Sequence, residues 1–371
     1  MSLQHQHRRA TSVKMGAPKS KNTEKGKKAA GKSVSNSKKK KTNDGDQHID
    51  ELQPQQLIPL ELQQLLLNIF RNSFSDRLQT NIQPLLQEVK HHLYNRDFLA
   101  AFGRSDYLEA YAARWSPSRV LGFLQVFVDV KEHFLSNPKE LETGGGSKKV
   151  VCLGGGGGAE IVAWAGFMKY LERSSIRGME GLEVVAIDIA NWTPVIETLY
   201  TSITTAPPIS KYASAAAQTA NVGLLDPATF VVRSHQFDVL NTNFSILSPL
   251  IEDACFITIM FTLNELYSTS MSLTQQFLLQ LTVCVQPGTL LLIGDSPGSY
   301  STVSMAGNEK RYPMQWLLDH TLLRVGTKGE ESRWEKLREE ESRWWRMREE
   351  LKYPIELENM RFQLHLYRRL G

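Results

Sequence analysis

Residues Val150–Gly166 have the sequence VVCLGGGGGAEIVAWAG, an apolar run followed by five glycines, Gly154–Gly158, and an apolar helical pattern. This order predicts a β-strand, a tight loop and a helix that begins near Ala159. Glycine permits positive φ and lets a ligand lie against the backbone, and a helix N-terminus offers free N–H donors with a partial positive charge. We therefore predict a site for an anionic or nucleotide-like ligand, whereas a plain glycine linker would lack the flanking strand and helix.

Strand-length apolar runs alternate with helical patterns beyond residue 144, which predicts βαβ units in a mostly parallel sheet with helices on both faces. The runs are Lys149–Leu153, Leu182–Ile187, Phe230–Val232, Phe256–Phe261 and Thr289–Ile293. At the end of the chain, Tyr353–Leu357 and Met360–Leu370 predict an antiparallel pair, preceded by a highly charged helix over Glu330–Leu351. The predicted fold class is α/β, with a doubly wound, mostly parallel seven-stranded sheet that ends in an antiparallel hairpin.

Residues 51–143 instead show the three- and four-residue spacing of helices, as at Leu62, Leu66 and Phe70. They predict a small all-α domain ahead of an α/β domain over residues 144–371. Ser116 is expected to cap a helix whose first residue is Pro117. The glycines at 144–146 predict a flexible joint between the two domains.

Residues 1–50 hold 13 lysines and arginines but only 4 aspartates and glutamates, so this segment carries +9 and the rest of the chain −5. It has almost no large apolar side chains, and we predict a disordered basic tail. Lys25, Lys27 and Lys28, followed by Lys38–Lys41, resemble a bipartite nuclear import signal that an import receptor would bind. A solvated arm and a nonspecific RNA-binding arm are the alternatives.

No apolar run reaches the ~18 residues that a membrane-spanning helix needs, so no membrane partner is expected. Cys152, Cys255 and Cys284 lie in apolar contexts without metal-ligand spacing, which predicts buried reduced thiols and no metal site. These features predict an intracellular protein in a reducing compartment.

The glycine loop also matches the dinucleotide fingerprint, in the form Gly154-x-Gly156-x-x-Ala159. That fingerprint expects an acid about 20 residues farther along the chain. The acid after the second predicted strand is Asp188, which lies 30 residues beyond Gly158. This spacing disfavours an NAD-dependent dehydrogenase.

The second and third predicted strands end in side chains that could bind the nucleoside part of a ligand. Asp188 could accept hydrogen bonds from ribose hydroxyls, Trp192 could cover an adenine face, and Asp238 could receive an adenine amino group. Turn-forming acids and a core tryptophan are the structural alternatives. The predicted cofactor contacts in the loop are Gly154, Gly156 and Gly158.

Polar residues also follow the next two predicted strands. Asn264 and Glu265 come after the fourth, and Asp295 closes the fifth. Ligands of open α/β sheets bind beyond the carboxyl ends of the strands, so these three are the predicted catalytic residues. Asn264 is also expected to contact the cofactor, and a helix cap is its alternative role.

Five segments carry a resemblance to a known family. They are YAARWSPSRVLGF (111–123), CLGGGGGAEIVA (152–163), FTLNELYSTS (261–270), LLIGDSPGSYS (291–301) and YPIELENMRFQLHLYRR (353–369). Together with the strand-end acids, they resemble the class I Rossmann-like methyltransferases and, more narrowly, the fungal 25S ribosomal RNA (uracil-N3)-methyltransferases. The resemblance runs from about residue 55 to the C-terminus and excludes the basic tail.

This resemblance implies transfer of a methyl group from S-adenosylmethionine to N3 of one uridine in large-subunit rRNA. It also implies rRNA or a pre-ribosomal particle as partner, and a nuclear or nucleolar role in ribosome assembly. Many class I enzymes carry an acid where this chain has Cys152. Glu160 or the backbone is therefore expected to contact the amino group of the cofactor.

Uridine N3 carries a proton that must leave before the nitrogen can attack, and a carboxylate can accept it. Glu265 is the first candidate for this base and Asp295 the second. The target base must be unpaired or flipped out of a helix, and Arg and Trp side chains can stack on it. The predicted RNA contacts are Arg114, Trp115 and Arg119. A second candidate set is Arg343–Arg346, for which an amphipathic helix is the alternative.

The residues leave two further functions open besides the dehydrogenase. One is a non-catalytic ribosome-assembly factor that keeps a methyltransferase fold. The other is a methyltransferase that acts on a protein or a small molecule.

Overall fold

The computed structural model describes residues 58–135, 146–298, 300–305, 308–323 and 332–371, which belong to one compact unit over Gln53–Gly371. The predicted basic tail with its two lysine clusters lies outside the described residues. So does the predicted domain boundary between residues 143 and 144.

Five parallel strands form the centre of the sheet. They are β1 (Ser147–Leu153), β2 (Gly181–Asp188), β3 (Phe230–Gln236), β4 (Phe256–Met260) and β5 (Leu290–Asp295). Two strands, β8 (Trp334–Trp345) and β9 (Met360–Arg369), complete it, and β9 runs antiparallel to both β5 and β8. The order is β3-β2-β1-β4-β5-β9-β8, which confirms the predicted seven-stranded sheet with a terminal antiparallel hairpin.

The position of the central strands in the sheet explains why they are mainly apolar. Val150 of β1 lies between Val184 of β2 and Phe256 of β4. Every residue of β4 and of β5 is buried, because helices cover both faces of the sheet. The carboxyl ends of β1, β2, β4 and β5 therefore meet along one edge, where the polar residues that follow them are brought together.

Seven helices are described before the sheet. They are α1 (Leu60–Ser73), α2 (Ser75–Gln79), α3 (Gln83–Tyr94), α4 (Phe98–Ala101), α5 (Ser105–Arg114), α6 (Ser116–Asp129) and α7 (Lys131–Leu135). The predicted helix start is displaced by one residue, because Ser116 is already the first residue of α6 and Trp115 precedes it. Pro117 lies in the first turn, where its missing N–H has no consequence.

Seven helices are described within and after the parallel strands. They are α8 (Ala159–Arg173), α9 (Thr193–Thr204), α10 (Ala215–Thr219), α11 (Phe244–Ile251), α12 (Leu263–Thr269), α13 (Met271–Cys284) and α14 (Met314–Leu323). A small second sheet pairs β6 (Tyr300–Met305) with β7 (Asn308–Pro313) in antiparallel fashion.

The N-terminal helices cover one face of the large sheet. The ring of Phe127 in α6 stacks on Trp164 in α8, with 4.1 Å between centroids. A Cβ atom at Gly166 would lie 2.7 Å from Leu66 Cδ1, so the glycine lets α1 approach α8 closely. The segment that predicted a separate all-α domain therefore packs into the same compact unit as the sheet. A second apolar cluster, with Phe277 and Leu317, covers the other face.

The predicted charged helix over Glu330–Leu351 is wrong, because Trp334–Trp345 forms strand β8. Its charged residues favour a helix locally, but long-range pairing with β9 overrides that preference. Trp334 is buried, while most of the strand is exposed or half-buried, as expected for an edge strand with bulges. Tyr353–Leu357, the predicted partner of the last strand, is not a strand, so β8 supplies the other half of the terminal hairpin.

Among the described residues, no helix combines the length and the apolarity needed to cross a bilayer. Within the same part of the chain, no group of three or more His, Cys, Asp or Glu side chains is arranged to hold a metal ion. Cys152 is buried as predicted, whereas Cys255 and Cys284 are only partly buried.

Candidate active site

The glycine loop turns from β1 into α8 through two left-handed residues. Gly154 and Gly158 both have φ of +78°, a conformation that other residues adopt only with strain. The Gly154 N–H donates to the Ile187 carbonyl at 2.8 Å, which ties the loop to the end of β2. A Cβ atom at Gly154 would also lie 2.2 Å from Thr262 Oγ1. The loop thus needs glycine both for its turns and for its close neighbours.

Asp188, the last residue of β2, organises this loop. One carboxylate oxygen accepts the Gly156 N–H at 3.0 Å, and the other accepts the Ala190 N–H at 3.1 Å. Burial raises the pKa of Asp188, and these backbone donors partly oppose the rise. These two hydrogen bonds hold the loop in shape.

The glycine loop forms one wall of a cleft at the carboxyl edge of the sheet. The cleft has an empty volume of about 1040 Å³, which includes solvent at its mouth. The predicted site residues that line it are Gly154, Gly158, Glu160, Asp188, Trp192, Asp238, Glu265 and Arg119. Gly156, Asn264 and Asp295 do not line it.

An aromatic group closes one side of the cleft. The buried ring of Trp192 lies 5.3 Å from the ring of Phe102 and 5.7 Å from that of Tyr111. A Cβ atom at Gly156 would lie 1.9 Å from Trp192 Cδ1, so the ring rests directly on the glycine loop. Phe102 and Tyr111 were not predicted as site residues, because only the packing of the N-terminal helices brings them here.

Asp238 lines the opposite side of the cleft and shapes the turn after β3. Its carboxylate accepts the Leu240 N–H at 2.9 Å and the Asn241 side-chain amide at 2.7 Å. Like Asp188, it combines a turn-forming role with a position in the lining of the cleft.

Glu160 lies beneath the glycine loop, close to the position where Cys152 replaces an acid. Its side chain is buried and accepts a hydrogen bond from the Thr258 hydroxyl. A Cβ atom at Gly155 would lie 2.6 Å from the Cys152 Cβ and 3.1 Å from Glu160 Oε2. Burial raises the pKa of Glu160 to about 8, so most of this carboxyl is protonated at neutral pH in the ligand-free protein.

The Glu160→Gln variant is expected to reduce the pH dependence of folding stability. The folded protein holds this proton up to about pH 8, whereas the unfolded chain releases it near 4.5. The Glu160 contribution to stability therefore falls as pH rises between these values, by roughly a few kcal/mol. Gln cannot ionise, so the variant loses this contribution and keeps only that of the other buried acids, such as Glu265. Urea unfolding at pH 5.5 and pH 8.5 measures this, with the exposed Glu172→Gln of the same helix as control. Equal pH slopes for Glu160→Gln and the natural protein would contradict the assignment.

Asp295 is a buried anchor for α12. Its carboxylate accepts the Asn264 N–H at 2.9 Å and the Ser296 N–H at 2.7 Å, and only 3% of the residue is exposed. It does not line the cleft, so the structure places this second candidate base behind Asn264. Its geometry suits the positioning of the helix start that carries Glu265.

Glu265 extends from the first turn of α12 into the cleft. Burial raises its pKa to about 7, and the nearby Arg119 guanidinium partly opposes the rise. A carboxyl that titrates near neutral pH inside a cleft is suited to accept and release a proton. Of the three predicted catalytic residues, this is the one that the structure brings into the cleft.

Arg119 and Phe261 frame the Glu265 side of the cleft. Arg119 donates to the Tyr111 hydroxyl at 2.6 Å, and its guanidinium lies 5.1 Å from the centroid of the Phe261 ring. Phe261 has a φ of +60°, which is strained for an aromatic residue, and its N–H donates to the Gly294 carbonyl at 2.7 Å. This strained turn joins β4 to α12. No sequence pattern indicates positive φ at a phenylalanine.

The other predicted RNA contacts do not line this cleft. Arg114 is buried and pairs with Glu358 at 2.5 Å, and Trp115 packs on Tyr111 with 5.0 Å between ring centroids. In the second set, Arg343 and Trp344 are adjacent in strand β8, and their side chains point in opposite directions. Arg343 points inward to Asp129, whereas Trp344 is 57% exposed, with the guanidinium groups of Arg346 and Arg361 within 6 Å of its ring.

Comparison with known proteins assigns the chain to a family. A family model of SAM-dependent methyltransferases matches residues 70–368. The chain belongs to the SAM-dependent methyltransferase family. A curated member from Saccharomyces cerevisiae, named 25S rRNA (uridine(2843)-N(3))-methyltransferase, is 32% identical over 330 residues, which cover 82% of this chain and 85% of the relative. The predicted family, enzyme class and S-adenosylmethionine cofactor are confirmed.

Solved structures of other methyltransferases were also matched. One is an S-adenosylmethionine-dependent methyltransferase from Clostridium acetobutylicum, with 10% identity, coverage of 68% of this methyltransferase and 92% of that chain, and a TM-score of 0.33. Another is the N-methyltransferase NodS from Bradyrhizobium japonicum in complex with S-adenosyl-L-homocysteine, with 14% identity, coverage of 71% and 97%, and a TM-score of 0.32. The family assignment rests on the sequence matches alone.

Proposed function

We propose that this methyltransferase transfers a methyl group to N3 of a specific uridine in large-subunit rRNA. The observation that carries the proposal is Glu265, a carboxyl with a pKa of about 7 in the wall of the cofactor cleft. The yeast relative, whose name specifies this reaction on 25S rRNA, supports the choice of substrate. A ring nitrogen that must lose a proton needs a base at this position.

The lining of the cleft fits S-adenosylmethionine. Asp188 and Asp238 have acceptor oxygens for the ribose hydroxyls and the adenine amino group, and the face of Trp192 suits the adenine ring. Cys152 occupies the position where many class I enzymes carry an acid. We propose that the buried Glu160 beside it binds the cofactor's amino group instead. The bound cofactor supplies a methyl group on a sulfonium sulfur, an electrophile that needs no further activation.

The residues of the chain then have four tasks. Asp188 and the glycine loop orient the donor, since an in-line displacement depends on alignment. The aromatic side chains of Phe102, Tyr111 and Trp192 keep water away from the reacting atoms. The Glu265 carboxylate accepts the N3 proton of the uridine, and the adjacent Arg119 guanidinium favours its ionised form. Asp295 acts through the Asn264 N–H as a positioning residue.

Deleting the gene is expected to remove one 3-methyluridine per large-subunit rRNA in cells that normally contain it. Mass spectrometry of rRNA nucleosides measures this. The full chain is expected to restore the modification, and the Glu265→Gln chain is not. An unchanged 3-methyluridine level would overturn the proposal while leaving the family assignment intact. Labelled methyl groups recovered on protein or on a small molecule instead would favour the second candidate substrate class.

Restoring the modification in cells that lack the gene also tests the role of the basic tail. We propose that residues 1–50 direct the protein to the nucleus or nucleolus through an import receptor, because two lysine clusters there match a bipartite signal. A chain without residues 1–50 should methylate extracted rRNA in vitro but restore little modification in cells. Full restoration by that chain, with nuclear fluorescence of a tagged copy, would contradict the role of the tail.

A further inference from the structure

A second pocket opens beside the cofactor cleft, between α3, α5 and α12. It has an empty volume of about 970 Å³, including solvent at its mouth, and its lining includes Lys90, Tyr94, Arg96, Trp115, Asn264 and Glu265. Four residues line both spaces, namely Phe98, Tyr111, Arg119 and Glu265. Glu265 is thus in the wall shared by the cofactor cleft and the second pocket. An acceptor atom in this pocket would approach the donor past that carboxyl.

The chemistry of the second pocket suits a nucleotide. It combines three cations with aromatic rings, and Glu265 is the single acid among its lining residues. Cations bind phosphates, and aromatic and guanidinium faces stack on a base that has left its helix. A cationic peptide would meet mostly like charges here.

Two residues in the lining of this pocket present an aromatic ring and a cation. Tyr94 is 88% exposed, so burial of apolar surface does not explain its ring. Arg96 has a φ of +56°, where glycine or asparagine would cost less. The turn is held by the Arg96 N–H, which donates to the Leu93 carbonyl at 3.1 Å, and by the Asp97 N–H, which donates to the His92 carbonyl at 3.0 Å. This left-handed residue ends α3, and it places the Arg96 side chain in the lining of the pocket.

We propose that the second pocket binds the target nucleotide, with its base directed at Glu265 and its flanking phosphates held by Lys90 and Arg96. Tyr94 stacks on the flipped base or on its neighbour. The Asn264 carboxamide, which lines this pocket and not the cofactor cleft, can donate to a base carbonyl oxygen. The inference rests on the proposed function. It adds the side from which the target nucleotide reaches Glu265 and the residues that bind the RNA there.

A neighbouring pocket on the other side of Arg119 is the competing route. It is lined by Phe261, Glu358 and Arg361 among others, and Glu265 is not part of its lining. The Arg114–Glu358 ion pair also lies on this side. A base there would lie apart from the carboxyl that the reaction needs.

The double variant Lys90→Ala/Tyr94→Ala tests the proposal in single-turnover methylation of rRNA from cells that lack the gene. The RNA concentration at half-maximal rate is expected to rise about 10- to 100-fold, because a stacking ring and a phosphate contact are lost. The maximal rate should change less than about threefold, since neither side chain lines the cofactor cleft. The dissociation constant of S-adenosylmethionine, from calorimetry, should be unchanged. Arg96→Asn, which tolerates the positive φ, should also weaken RNA binding.

A matched control is the double variant Lys211→Ala/Tyr212→Ala. It removes another exposed lysine and exposed tyrosine, outside both spaces, and should leave RNA binding unchanged. An unchanged RNA requirement in the Lys90/Tyr94 variant, with an active natural protein, would overturn the inference alone. A raised requirement in Arg361→Gln instead would assign the base to the competing pocket. Failure of the natural protein to methylate any RNA would overturn the proposed function as well, so the two failures are distinguishable.

Discussion

Methyl transfer by the Glu265→Gln variant is expected to fall about 10²- to 10⁴-fold, the usual range for loss of a general base. Glutamine keeps the size and polarity of the side chain but cannot accept the N3 proton. The cofactor cleft is otherwise intact, so the affinity for S-adenosylmethionine should change little. Single-turnover rates with unmodified rRNA, and calorimetry with the cofactor, measure the two quantities separately.

The pH dependence of the methyl-transfer rate is a second test of Glu265 as the base. The active form of Glu265 is the carboxylate, and its pKa is raised to about 7. The natural rate should therefore rise with pH below about 7 and level off above it. The variant should lack that titration and recover part of its rate at alkaline pH, where the uridine loses its proton without help. A natural profile that is flat from pH 5 to pH 8 would rule out Glu265 as the base.

Asp295→Asn is the informative comparison for Glu265. This substitution weakens the acceptor for the Asn264 and Ser296 N–H groups, so it should loosen the start of α12 and lower the rate moderately. The titration should persist, because Glu265 is still present, but it should move to lower pH, because the Asp295 charge that helps to raise the Glu265 pKa is gone. If Asp295→Asn were inactive without that titration while Glu265→Gln kept full activity, the roles would have to be exchanged.

The second large effect is expected from Gly156→Ala. A Cβ atom there would lie 1.9 Å from Cδ1 and 2.3 Å from Cγ of Trp192. The Trp192 ring is buried against Phe102 and Tyr111, so it cannot move aside cheaply. A shift of the loop would instead stretch the hydrogen bond from the Gly156 N–H to Asp188. We expect a roughly 10- to 100-fold loss of S-adenosylmethionine affinity and a lower Tm.

Gly288→Ala provides the control for this substitution. Gly288 has a φ of +94°, and a Cβ atom there would meet nothing within 4 Å. It should therefore cost some stability through backbone strain but leave cofactor affinity unchanged. Calorimetry and thermal unfolding of both variants separate the two effects. Natural cofactor affinity in Gly156→Ala would show that Trp192 and the loop are not packed as described.

Much of the sheet could be predicted because its signals are local. The five parallel strands have continuous apolar runs, and the glycine loop lies between a strand and a helix. The end of β2 could be located from the apolar run that precedes Asp188. Carboxyl ends of parallel strands share one edge, so Asp188, Asp238 and Glu265 could be expected near a common ligand.

The features that could not be predicted from the sequence share a different cause. Strand β8 has a composition that favours a helix, and only its pairing with β9 makes it a strand. The roles of Asn264 and Asp295 depend on side-chain direction at the rim, which residue type does not encode. Asp295 and Glu265 look alike in sequence, because each is an acid at the end of a strand. The Asp295 carboxylate nevertheless accepts hydrogen bonds from backbone N–H groups, and the Glu265 carboxylate does not.

The sequence by itself determined that this chain has a glycine loop at a strand–helix joint, an acid too distant for a dinucleotide site, and polar residues at successive strand ends. These are properties of short segments, and short-range periodicity and backbone sterics are sufficient to set them. Only the tertiary structure decided that Trp192 rests on Gly156, that Glu160 lies beside Cys152, and that Glu265 faces two spaces. The reason is that burial, with the pKa values it shifts, depends on which distant helices pack over the loop, and the N-terminal helices supply that cover.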